Sequence, residues 1–169
     1  GLDVFTPSLR RVPPESLDPN IKSHNYLNLV MADLEVRDRS SHAWAVLLDT
    51  RGSVSEGIGS NVFFVKNGEI LTPNAEFVLP GVSRAVVLEL AAGEGIRFHE
   101  TDISPEQARD SDEAFITSTS FCICPVRSYD GVSLDGGGIP GPVTRRLSDA
   151  FSREAGFDFV GQYLDALKG

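Results

Sequence analysis

The chain has 169 residues and a formal net charge of −9. That is enough length for one domain with a substantial core, and the charge balance gives nucleic-acid binding no support, because no basic cluster exceeds Arg10-Arg11 or Arg145-Arg146. No apolar run approaches the length of a membrane span and no signal peptide is visible, so a reduced cytoplasmic compartment is the default. The first residue is Gly1, with no initiator Met, which reads as a piece of a longer protein.

Residues 1–21 are proline-rich and end in Asp18-Pro19-Asn20-Ile21, an extended connector that includes a first strand. A helix is expected from near Ser23 to Val36 or Asp38, because Leu27, Val30, Met31 and Leu34 repeat at amphipathic spacing. Ala43–Asp49 reads as a buried strand. After the Thr50-Arg51-Gly52 turn come Ser53–Asn61 and the strand Val62–Val65, and Asn67-Gly68 signals a type I′ hairpin returning through Glu69–Thr72. A helix follows Leu79-Pro80-Gly81, with Ser83 as expected N-cap and Gly93 or Gly95 as its end. Ile96–Glu100 alternates as a strand, Ser104-Pro105-Glu106-Gln107 is a capping box, and Glu113–Thr117 is another strand. Asp130-Gly131 marks a second hairpin. Pro142–Ala155 is an amphipathic helix closed by Gly156, and the tail Phe157–Leu167 is expected to pack on the core.

The chemistry concentrates at four places. Lys22 is one of only three lysines, and it sits where the extended segment becomes a helix. An amine partly desolvated there has a lowered pKa and attacks carbonyls, although an exposed helix-start lysine is the simpler reading of position alone. Glu56 precedes a glycine turn, Gly57-Ile58-Gly59, between apolar strands. It is either an exposed turn acid or a buried carboxylate aimed at a cation. The Gly57-x-Gly59 pair is not a dinucleotide fingerprint, because a strand and hairpin follow it instead of a helix. The Gly81-Val82-Ser83 amides open a helix and so suit an anion. Ser118-Thr119-Ser120 ends a strand with hydroxyls that suit a phosphate or carboxylate. Gly136–Gly141 lacks the lysine of a P-loop. Cys122 and Cys124, expected to point the same way on a strand, do not have zinc-site spacing, and no metal constellation is visible.

In chain order, Lys22-Ser-His-Asn-Tyr26-Leu27, Ser55-Glu56-Gly57-x-x-x-Asn61, Leu79-Pro80-Gly81-Val82-Ser83-Arg84, Asp112-Glu113-Ala-Phe-Ile-Thr-Ser118-Thr119, Pro125-Val126 and Gly141-Pro142-Val143-Thr144 resemble the class IV pyridoxal-phosphate aminotransferases, the family of branched-chain and D-amino-acid aminotransferases. The resemblance implies an α+β fold like the C-terminal domain of D-amino-acid aminotransferase, a bent, mostly antiparallel sheet or pseudo-barrel flanked by helices. Residues 22–169 would be the cofactor-binding domain, with the family's smaller N-terminal domain outside this chain. It implies pyridoxal 5′-phosphate as cofactor and transamination between an amino acid, or an amine, and a 2-oxo acid. Lys22 would form the Schiff base and move the proton. Glu56 would face the pyridine nitrogen, with Arg11 corresponding to a basic residue near the Glu56 side. Tyr26 would bond the phenolic oxygen, Leu79 would pack on the ring, and Gly59 and Asn61 would shape the turn. Gly81, Val82, Ser83, Ser118 and Thr119 would hold the phosphate, while Ser120 and Phe121 would face substrate. A homodimer is implied as well.

The loop Ser118–Cys124 departs from the Gly-Thr-Ala-Ala-Glu of branched-chain enzymes, being bulkier and less acidic at Phe121 and Cys122. A lyase of the aminodeoxychorismate type and a domain without turnover are the alternatives.

Overall fold

The computed structural model describes residues 1–40, 43–166 and 168. Nine strands form one mixed sheet: β1 (Leu2–Phe5), β2 (Ala43–Leu48), β3 (Val54–Gly57), β4 (Asn61–Lys66), β5 (Glu69–Thr72), β6 (Phe98–Glu100), β7 (Glu113–Ser118), β8 (Cys122–Tyr129) and β9 (Val132–Ser133). The order is β3-β2-β1-β8-β7-β4-β5-β6, with β9 on β8. Strand β1 runs parallel to both neighbours, and β5 runs parallel to β6; the remaining pairings are antiparallel. The sheet curls, and the isolated Gly57–Ser60 bridge closes the tight turn that links β3, at one edge, to β4. The architecture is therefore the expected α+β fold with a bent sheet flanked by helices, the sheet being a curled, mixed half-barrel.

The strands read as continuous apolar runs because both faces are covered. Within the curl, Val46, Leu48, Val62, Phe64, Ala114 and Ile116 build one core with Val4 and Tyr129. On the convex face, Phe63, Val65 and Phe115 pack against Val87 and Ala91 of α2 (Val82–Gly93) and Leu147 of α4 (Pro142–Ala155). Phe63 and Phe115 stack at 4.8 Å. Ala45 and Leu47 meet Leu29, Ala32 and Val36 of α1 (Leu27–Arg37). Both hairpins carry the positive φ that a type I′ turn needs, at Asn67-Gly68 and Asp130-Gly131. The capping box opens α3 (Pro105–Arg109), and Gly156 closes α4 in the left-handed conformation. In the tail, α5 (Phe159–Ala166) packs through Phe159 on Phe151, at 5.6 Å between ring centres. Leu167, the end of the expected tail, lies outside the described residues.

Several expectations are corrected. Helix α1 starts at Leu27 instead of Ser23. The Ser23 amide bonds Ile21 C=O and the Tyr26 amide bonds His24 C=O, so tight turns take the donors that a helix would use. The stripe Leu27, Val30, Met31 and Leu34 faces outward, because Leu29, Ala32 and Val36 form a second stripe that takes the sheet side. Gly81, not Ser83, caps α2; Ser83 lies in its first turn. Cys122 packs with the convex core and Cys124 with the concave one, since Cys122 takes φ +59° and breaks the alternation. Both thiols are free.

No helix among the described residues is long and apolar enough to cross a membrane. Nor, among those residues, is any group of three or more His, Cys, Asp or Glu side chains placed to hold a metal.

Candidate active site

The loop carrying Lys22, the β3–β4 hairpin, the start of α2 and the end of β7 converge on one cavity of about 220 Å³. Lys22, Tyr26, Glu56, Gly59, Asn61 and Leu79 all line it. So do Arg11, Gly81, Val82, Ser83, Ser118 and Thr119. Ser120 and Phe121 are outside its wall. The Ser120 carbonyl accepts from Tyr163 at 2.6 Å, and Phe121 sits edge-on to Trp44 at 5.9 Å.

Glu56 is buried at the end of β3. Arg11 Nε donates to its Oε1 at 2.8 Å, and the Leu79 amide donates to Oε2 at 3.0 Å. Burial pushes the Glu56 carboxyl up from its ordinary range, and Arg11, the Leu79 amide and the Lys22 charge offset part of that rise. Lys22 itself is exposed at the mouth, so the desolvation expected from its position is not present in this chain.

The hairpin geometry explains why the turn is rich in glycine. Gly59 takes φ +63°, and a Cβ on Gly57 would come within 2.5 Å of Ser60 Oγ and 2.8 Å of Trp44 Nε1. The Trp44 indole donates to Ser60 Oγ at 3.0 Å. Beside it, Asn61 Nδ2 donates to Leu79 C=O at 2.9 Å, tying the hairpin to the segment that enters α2.

Helix α2 is closed first by Ala85 N–H to Gly81 C=O at 3.0 Å, which leaves the amides of Val82, Ser83 and Arg84 outside the ladder. A Cβ on Gly81 would lie 2.3 Å from Asn61 Oδ1, so only a bare backbone fits there. At the far end of β7, Glu113 caps α4: Val143 N–H donates at 3.0 Å, Thr144 N–H at 2.9 Å and Thr144 Oγ1 at 2.8 Å.

Sequence reasoning did not single out Thr117, Ser60 or Trp44 as belonging to this region. Thr117 is buried, lines the cavity, and its hydroxyl has no hydrogen-bond partner among the described residues. It read as ordinary strand interior, and the only available signal was a polar side chain in an otherwise apolar run.

These features fit a phosphorylated, cationic ring with an aldehyde: free amides and an orphaned hydroxyl at one end, a buried carboxylate at another, an amine at the mouth. A curled mixed sheet with its cavity at a helix N-terminus has the architecture of a class IV aminotransferase domain. Residues 2–129 match the amino-transferase class IV family model, and the chain belongs to that family. It is 39% identical over 152 residues to the putative branched-chain-amino-acid aminotransferase of Methanocaldococcus jannaschii, covering 89% of this chain and 52% of that protein. The holo PLP-form of the Thermobaculum terrenum branched-chain amino acid aminotransferase superposes with TM-score 0.86 at 33% identity, covering 94% of this chain and 52% of that one. The Escherichia coli enzyme of the same name gives TM-score 0.83 at 36% identity, covering 89% and 50%. The chain thus spans about half the length of each of these three relatives.

Proposed function

We propose that this chain carries the cofactor side of a pyridoxal-phosphate-dependent aminotransferase, which moves an amino group between an amino acid, or an amine, and a 2-oxo acid. The observation that carries the reading is the single cavity shared by Lys22, Glu56 and the open end of α2. The solved holo form of a relative supports the choice of cofactor. When bound, pyridoxal phosphate supplies an aldehyde that condenses with amines and a ring that draws off electrons.

The chain's own residues then have distinct tasks. Lys22 Nζ would supply the resident amine and carry the proton between the substrate α-carbon and the cofactor carbon that bears the aldehyde. Glu56, braced by Arg11 and the Leu79 amide, would hold a proton on the cofactor's pyridine nitrogen. Tyr26 would orient the cofactor's phenolic oxygen and Leu79 would cover a ring face, while Gly59 and Asn61 fix the turn that aims Glu56. The α2 amides at Val82 and Ser83, entered through Gly81, take the phosphate with Thr119 and Ser118. Ser120 and Phe121 stand next to that edge and bear on substrate choice.

The exposure of Lys22 favours completion of the pocket by residues beyond this chain, as in a protein with a further domain or a dimer. The outward stripe on α1 supports the same view. A substrate panel tests the reaction. The protein containing this chain is expected to transfer amino groups to 2-oxoglutarate, and Lys22→Ala to abolish the transfer. Pyruvate release from aminodeoxychorismate without transfer assigns the lyase reading; turnover that survives Lys22→Ala overturns both.

A further inference from the structure

The buried Thr117 hydroxyl has no partner among the described residues, yet nearly every such group in a folded protein is satisfied by protein, water or ligand. Its neighbours explain why it stays free. Asn61, registered opposite it on β4, commits its amide to Leu79. Strand alternation puts Thr117 on the same face as Phe115, which packs against Val87 and Ala91 of α2. Thr117 therefore lies beneath α2, on the wall that it shares with buried Ser83 from that helix's first turn.

We propose that Thr117 is an anion ligand, its hydroxyl donating from the cavity floor to a phosphate-monoester oxygen held at the α2 N-terminus. The proposal rests on the reading of this cavity as a pyridoxal-phosphate site. It adds a donor from the strand side to the amides of Val82 and Ser83.

The test uses the full chain with Thr117→Val, which removes only the hydroxyl, and Thr117→Ser, which restores it. Binding is followed by absorbance titration with pyridoxal phosphate and with pyridoxal, which lacks the phosphate, and by ³¹P NMR with inorganic phosphate. Thr117→Val is expected to weaken pyridoxal phosphate and inorganic phosphate about tenfold, to leave pyridoxal unchanged, and to be rescued by Thr117→Ser. The ligand-free Thr117→Val chain is expected to melt no lower than the parent, since an unsatisfied buried hydroxyl is replaced by a methyl. Equal phosphate binding by parent and Thr117→Val overturns the assignment, as does an equal loss for pyridoxal. A parent chain that binds neither pyridoxal phosphate nor phosphate overturns the cofactor reading together with it.

Discussion

Glu56 shows how a single residue links fold and chemistry. Its two oxygens are anchored by Arg11 and the Leu79 amide, and a glutamine keeps one acceptor oxygen but sets an NH2 donor against the other N–H. Glu56→Gln should therefore melt somewhat below the parent, since one buried donor loses its acceptor, while still taking up the cofactor. Its turnover in the protein containing this chain should fall roughly 10²-fold, because a neutral amide no longer holds the ring nitrogen protonated. Steady-state rates beside a melting curve check this, and near-normal turnover counts against the role given to Glu56. Asp3 makes a different prediction, about acid stability. It accepts from Arg127 Nε at 3.0 Å and from Ser128 at 2.7 Å, and Arg127 holds its pKa down, from 3.8 to about 2. A folded value below the unfolded one gives stability that is present above pH 3.8 and lost as pH falls towards 2. With Arg127 partly exposed, the contribution is on the order of 1–2 kcal/mol. Asp3→Asn should lower the urea midpoint at pH 6 but converge with the parent near pH 2, and a constant gap across that range would exclude the linkage.

At the scale of elements, the β3–β4 hairpin is the most tightly constrained piece. Gly57→Ala places a methyl against Ser60, Trp44 and the Ala45 carbonyl, each within 2.9 Å. The expected cost is about 2–3 kcal/mol in urea unfolding, together with displacement of Glu56 from the cavity. A stability equal to the parent's would mean that the hairpin can relax. The capping box, both type I′ hairpins and the Gly156 stop were legible in the sequence because each is a local device, decided by residues a few positions apart. The start of α1 and its orientation were not. Leu27, Val30, Met31, Leu34 and the buried Leu29, Ala32, Val36 give two apolar stripes on one helix. Only tertiary packing on Ala45 and Leu47 of β2 decides which stripe is covered. The Cys122–Cys124 pair failed for the converse reason, since one positive φ overrides strand alternation.

For the whole molecule, the family motifs located most of the cavity wall before any coordinates were considered: Lys22, Tyr26, Glu56, Asn61, Leu79, Ser83 and Thr119 all reach it. Topology was less accessible. Nothing local in Leu2-Asp3-Val4-Phe5 announces a strand laid parallel between β2 and β8, a pairing made across more than a hundred residues. Thr117 escaped because its importance lies in a missing partner, which only packing reveals. The outward stripe of α1 leaves Leu27 at 66% and Leu34 at 60% exposure, with Val30 and Met31 beside them, an apolar stripe suited to a partner surface. Leu27→Lys with Leu34→Lys should reduce anilinonaphthalene sulfonate fluorescence and self-association in size-exclusion chromatography, with the melting temperature little changed. Unaltered dye binding would locate the sticky surface elsewhere.

The most direct measurement of the central claim is borohydride reduction of the protein in the presence of pyridoxal phosphate, followed by peptide mass spectrometry. The account predicts a single phosphopyridoxyl adduct on Lys22, lost in Lys22→Ala. An adduct on Lys66 or Lys168 in its place would contradict it.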